Sequence, residues 1–420
     1  MPGPENIFRS RFSNGVTVLI RENPYSQAAV LAGSMPCGSY LDPADKTGLN
    51  EFVAGCLTSG TQAHDFYRFH SLLEESAASL SIHSGPRSLT FNGSCLSEDL
   101  PMLMSLLKEC LDQPVFPPEH IEIFRQRALS AYELSRQDPE SMSSERLDAL
   151  LFGEHPYGRP EFGSEEIIRS ISRQDMLDFH RNYFGPQGLT LTIVGGFRAE
   201  EIRDECEKIF AGWNKQQAAV DTAAYFPGLP LPDKKIIEHI EIPEKSEMSL
   251  VIGTMGPSRT DPDHLAAAIG NSILGEFGMM GRIGQIVREE NGLAYSASSS
   301  LTALTYGGCW EVDAGINPAN AEKAADLICR ELRRFTAEKV SREELEDVKS
   351  CYIGGLPLSL ESNSGVAGLL MAIETHHLGL DYLIRLPDKV REITAEQILE
   401  TAKRWIDPDR MIQITAGTSA

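Results

Sequence analysis

Arg288 and Tyr295 stand seven residues apart in Arg288-Glu289-Glu290-Asn291-Gly292-Leu293-Ala294-Tyr295. A guanidinium can hold a peptide carbonyl or carboxylate, and a phenol can donate to a developing oxyanion. The plainer alternative is an arginine in a surface ion pair and a tyrosine packed in a sheet. A second stretch, Gly48-Leu49-Asn50-Glu51-Phe52-Val53-Ala54-Gly55-Cys56, has helical spacing and one carboxylate, Glu51. A helical zinc site needs His at i and i+4, with a Glu at i+3 as general base. From Glu51, position i+3 is the methyl of Ala54 and position i+4 is Gly55, so neither a base nor a second ligand is present.

Other candidates are weaker. The ten histidines do not cluster, and the adjacent pair His376-His377 would point about 100° apart on a helix, which makes no chelating face. The eight cysteines (Cys37, Cys56, Cys95, Cys110, Cys206, Cys309, Cys329 and Cys351) include no C-x-x-C pair. They read as buried small hydrophobes in a reducing compartment. The glycines of Gly275–Gly284 form no P-loop, because no G-K-[ST] follows. They read either as a flexible loop touching substrate or as a plain helix connection.

The elements that position these residues repeat. Residues 171–196 and 393–418 align without gaps at an offset of 222, with Ser172 and Thr394 each placed to cap a helix that leads to a proline and then an apolar strand. Two similar halves follow, 1–215 and 233–420, joined by a Pro-rich linker at 216–232. Strands are expected at Val16–Ile20, Ala28–Gly33, Ser79–His83, Leu89–Cys95, Leu189–Val194, Met248–Thr254 and Ile412–Thr415. Helices are expected at Leu100–Leu111, Glu119–Leu134 and Asp175–Phe184. The fold class is α+β, with two homologous domains, each a mostly antiparallel sheet with helices packed on one face.

A net charge of −22 argues against nucleic acid as a partner; it reads either as a solvated acidic surface that keeps the chain soluble or as a cavity that attracts basic peptides. No apolar run reaches the roughly 20 residues of a membrane span, and the N-terminus has no signal-peptide pattern, so a cytoplasmic location is expected. A periplasmic or organellar one stays open.

The frame around Gly48–Cys56, with its D-K-T-G-L lead-in, Phe52 and the closing Gly60-Thr61, resembles the zinc helix of the pitrilysin/insulinase metallopeptidase family. Glu51, Ala54 and Gly55 stand where that family has His, Glu and His. Aligned on Asp138-Pro139-Glu140, the family's third ligand falls at Ser130 or Ala131, with Glu133 nearby. The run Arg282 to Ser296 is similar to the family's second signature, whose Arg and Tyr hold substrate near the zinc; they match Arg288 and Tyr295. The resemblance implies one half of a clamshell, resembling the inactive member of a mitochondrial processing peptidase-like pair. It implies no metal in this chain, zinc in a homologous partner subunit, and unfolded peptide as substrate. Two alternatives stay open: a structural or assembly scaffold of the same fold, and a stand-alone metallopeptidase using an unrecognised site that includes Glu51 or Glu133.

Overall fold

The computed structural model describes residues 1–276 and 281–419. Of the glycine-rich stretch Gly275–Gly284, the part 277–280 therefore lies outside the described residues. The strands are β1 (Phe8–Arg11), β2 (Thr17–Glu22), β3 (Ala28–Met35), β4 (Ser79–His83), β5 (Leu89–Leu96), β6 (Thr190–Gly195), β7 (Ile236–Glu241), β8 (Met248–Met255), β9 (Ala294–Ala303), β10 (Gly308–Ile316) and β11 (Ile412–Gly417). They form one sheet ordered β1-β2-β6-β3-β5-β4 and another ordered β7-β11-β8-β10-β9. Each sheet has one parallel pair, β2 with β6 and β7 with β11, and is otherwise antiparallel.

The chain forms two compact units whose segments interleave. The first holds residues 1–132, 160–225 and 357–385; the second holds 133–159, 226–356 and 386–420. The division at Tyr225/Phe226 falls inside the Pro-rich stretch 216–232, but two further segments lie with the unit built mainly from the opposite half of the sequence.

In the first unit β5 alternates buried and exposed residues, as a half-buried strand does. Its buried side faces helix Leu100–Asp112, where a Cβ on Gly93 would lie 3.1 Å from Leu103. The opposite face is covered by helix Asn363–Thr375. Its Val366, Ala367 and Leu370 pack on Ile7, Leu19, Ala32 and Val194. The Thr192 hydroxyl donates to the Ala367 carbonyl at 3.1 Å. The second unit repeats the arrangement. Helix Pro139–Phe152 lies against β8, with Ser143 and Ser249 hydroxyls 2.8 Å apart and Leu147 filling the space over Gly253. On the other face Asn271 accepts hydrogen bonds from Trp310 Nε1 at 2.9 Å and Ser299 Oγ at 2.8 Å. Most helices thus share one face of each sheet as expected, while one helix covers the other face. This explains why every residue of β8 is buried, the pattern of a strand covered on both sides.

The repeat is visible in local detail. Helices Arg173–Tyr183 and Ala395–Trp405 each begin with a complete capping box, at Ser172/Asp175 and Thr394/Gln397. Each leads to the strand beside a parallel partner, β6 or β11. Seven of the eight cysteines are buried; Cys351 is exposed, contrary to the expectation for all eight, and none is paired.

Candidate functional site

The helix Leu49–Cys56 belongs to the first unit, and its start is built by three residues. Gly48 takes φ +97, a left-handed conformation that favours glycine, and a Cβ there would meet Phe162 at 2.8 Å. Asp42, buried, accepts from the amides of Gly48 and Asn50, each at 2.9 Å. Asn50 is fully buried and accepts from the Ser84 hydroxyl. At the far end Gly60 has φ +136, and the Thr61 hydroxyl donates to Glu109 at 2.9 Å while accepting from the amide of His64. The frame letters of this motif are therefore structural: they cap, turn and anchor the helix.

The chemical positions are filled otherwise. Ala54 is buried. At Gly55 an added Cβ would lie 2.0 Å from the ring of Phe124. That ring packs edge-on against Phe52, centroids 4.9 Å apart, and the Arg125 guanidinium lies over the Phe52 ring at 5.2 Å. An aromatic side chain thus occupies the volume into which a ligand at position 55 would project. Ser130 and Ala131 are exposed and offer no strong ligand, and Glu133 is exposed as well. Among the described residues no three His, Cys, Asp or Glu side chains form a group able to hold a metal. The donor set of this helix does not fit zinc, which takes three protein ligands in a catalytic site.

Glu51 is the residue left over. Burial pushes its carboxyl up to about 7, with the nearby Glu161 carboxylate adding and a hydrogen bond from Ser84 opposing. Glu161 is itself raised by burial.

The second candidate segment lies in the other unit. Its first arginine, Arg282, is structural. Arg282 pairs with Glu344 through Nε and Nη2 at 2.6 and 2.9 Å, reaches the buried Glu331 at 3.4 Å, and lies 5.8 Å above the ring of Phe335. The hydrogen bond from Arg282 holds Glu344 down to about 2. Arg288 differs: its side chain is 41% exposed, and its ion-pair neighbour is Glu289 at 3.7 Å. Tyr295 is 58% exposed at the start of β9, where its ring lies over Gly315; a Cβ there would be 2.2 Å from the ring. The β9–β10 register shifts at Gly315/Ile316, a bulge of the kind that re-aims side chains.

Tyr295 lines a cleft of about 370 Å³ whose other walls include Asp138, Glu140, Glu247 and Asp313. Arg288 does not line it. Asp138 also caps helix Pro139–Phe152 by accepting from Ser141. Burial raises Asp313, against a hydrogen bond from Ser298. These acidic walls come from segments distant in sequence, so spacing alone gave no signal of them. The same holds for Phe124 over Gly55.

Residues 17–165 match the family model described as Insulinase (Peptidase family M16), and residues 170–351 match the one described as Peptidase M16 inactive domain. An uncharacterized zinc protease of Rickettsia bellii is 22% identical over 409 residues, covering 95% of each chain. An uncharacterized zinc protease of Bacillus subtilis is 20% identical, covering 85% of each. Among solved structures, a peptidase M16 inactive domain from Pseudomonas fluorescens superimposes with a TM-score of 0.91 at 23% identity, over 99% of this chain and 98% of that one. A protease from Helicobacter pylori gives 0.91 at 17% identity, over 99% and 100%.

Proposed function

Because the chain belongs to the insulinase (M16) family of peptidases, we propose that it is the non-catalytic, substrate-binding subunit of a two-subunit zinc peptidase acting on unfolded peptides. The observation that carries this reading is the contrast between its two signatures. The helix Leu49–Cys56 keeps its structural letters but has Phe124 packed where a ligand would project. Arg288 and Tyr295 are exposed. In this reading zinc is supplied by a homologous partner chain, which also carries the general base. Arg288 holds a carbonyl or carboxylate of the peptide, and the Tyr295 phenol donates to oxygen as charge develops. The four carboxylates beside Tyr295 suit a basic side chain of the same peptide.

The test is metal content and peptide cleavage, measured on the purified chain alone and mixed with a zinc-bearing homologue. The expected result is no stoichiometric zinc and no cleavage alone, with cleavage in the mixture. Arg288→Ala should then lower cleavage by the mixture roughly tenfold or more without changing the melting temperature of this chain. One zinc per chain with chelator-sensitive cleavage by the chain alone would overturn the reading.

A further inference from the structure

At one end of the first sheet a polar row crosses four strands. Arg11 pairs with Thr17, Thr17 with Thr190, and Thr190 with Ser34. Residues paired across strands share a face, so these side chains stand next to one another. The neighbouring row on that face, from Arg9 through Leu19 and Thr192 to Ala32, includes apolar residues covered by helix Asn363–Thr375. The helix stops at Thr375, and the hydroxyl row lines an open cleft of about 280 Å³. Arg87, from the segment before β5, forms another wall.

The charges in this cleft are unevenly committed. Arg9 is taken up by Glu374, with Nε and Nη2 donating to its two carboxylate oxygens at 3.0 and 2.7 Å. Among the described residues the guanidiniums of Arg11 and Arg87 make no hydrogen bond or ion pair, and the hydroxyls of Thr17 and Thr190 have no protein partner. Two uncommitted cations and two free hydroxyls therefore face one cleft, in a chain of net charge −22; the third hydroxyl, Ser34, donates to Met371 Sδ at 3.6 Å. Oxyanions are bound by this combination of fork-shaped donors and hydroxyls. The charge count separates the candidates. Glu374 neutralises Arg9, and the carbonyl end of helix Asn363–Thr375, which carries partial negative charge, adjoins the cleft. Both favour one negative charge over two.

We infer that this cleft is a carboxylate-binding subsite for a bound peptide, with Arg11 and Arg87 as the charged donors and Thr17 and Thr190 as hydroxyl donors. The inference rests on the peptide-binding reading above and names a chemical feature of the substrate. The carboxylate is either the peptide's C-terminal group or an acidic side chain.

The experiment measures affinity of the full chain for three short unfolded peptides. One is neutral with a free C-terminal carboxylate, one is the same peptide amidated, and one is amidated with a single glutamate. Inorganic phosphate serves as competitor. At least one carboxylate peptide should bind roughly tenfold tighter than the neutral amide. The Arg11→Ala/Arg87→Ala double variant should lose that advantage while still binding the neutral amide as the wild type does. Arg11→Gln and Arg87→Gln single variants, which keep bulk and polarity, should each lose part of it. Preference for the free acid assigns the C-terminal group; preference for the glutamate peptide assigns a side chain. Equal binding of all three peptides overturns this inference and leaves the peptide-binding reading standing. Binding of none overturns both. A carboxylate advantage that survives in the double variant, or phosphate binding tighter than any carboxylate, also overturns it.

Discussion

Gly55 has no room for a β-carbon. A Cβ there would meet the ring of Phe124, which packs edge-on against Phe52. Restoring a histidine there to rebuild a ligand pair should therefore destabilise the chain by about 1–3 kcal/mol, the usual cost of overpacking. Phe124→Ala in the same background should recover most of that loss in urea denaturation. A Gly55→His variant as stable as wild type would show that Phe124 swings away freely. Glu51 gives a pH signature of defined sign. Its folded carboxyl titrates near 7, above the ordinary value of 4.5, so its contribution is fully present below 4.5 and is lost as pH rises through 7. Glu51→Gln should raise stability by about 2 kcal/mol at pH 8, less than the full shift because the side chain is partly exposed, and change it little at pH 4. Equal effects at both pH values would contradict this account. The sequence shows at once that Ala54 and Gly55 cannot do zinc chemistry. It does not show Phe124 in the vacated volume, because that contact joins two helices through space and no periodicity encodes it.

The element scale separates structural from free residues inside one motif. Arg282 and Arg288 are both arginines of the same signature, yet Arg282 is partly buried against Glu344, Glu331 and Phe335 while Arg288 is exposed. Arg282→Ala should cost about 3–5 kcal/mol, because it leaves Glu331 buried without one of its cationic partners. Glu344 is held near 2, below its ordinary 4.5, so its part of that stability is present above 4.5 and lost as pH falls through 2. The gap between wild type and Arg282→Ala in chemical denaturation should accordingly narrow below pH 4.5. A gap that is constant from pH 7 to pH 2.5 would place the loss in packing on Phe335 instead. Single elements were readable from the chain: β4 spans Ser79–His83 as expected, and the two capping boxes sit at the repeat offset. The helix on the second face of each sheet was not, since alternation in β5 and the unbroken burial of β8 say that a face is covered without saying by which segment.

At the scale of the whole molecule, the division into halves is clear in the sequence and the division into compact units is different. The repeat at an offset of 222 marks two homologous halves, but residues 357–385 complete the first unit and residues 133–159 the second. Local patterns cannot reveal this, because Asn363–Thr375 looks like any other amphipathic helix until its apolar side meets Leu19, Ala32 and Val194. A fragment of residues 1–225 should therefore lack a cooperative melt and bind a hydrophobic dye, and co-expression with 226–420 should restore both properties to wild type. A sharp two-state transition for 1–225 alone would show that its open sheet face tolerates water. The same interleaving has a consequence for biosynthesis. The first unit cannot close until residue 385 has been made, some 160 residues after residue 225. At ordinary elongation rates of roughly 5–20 residues per second, the nascent chain presents an uncovered apolar sheet for about 10–30 s. Vectorial completion of the amino-terminal half is thereby delayed by topology, since its last covering segment is among the late residues to be synthesised.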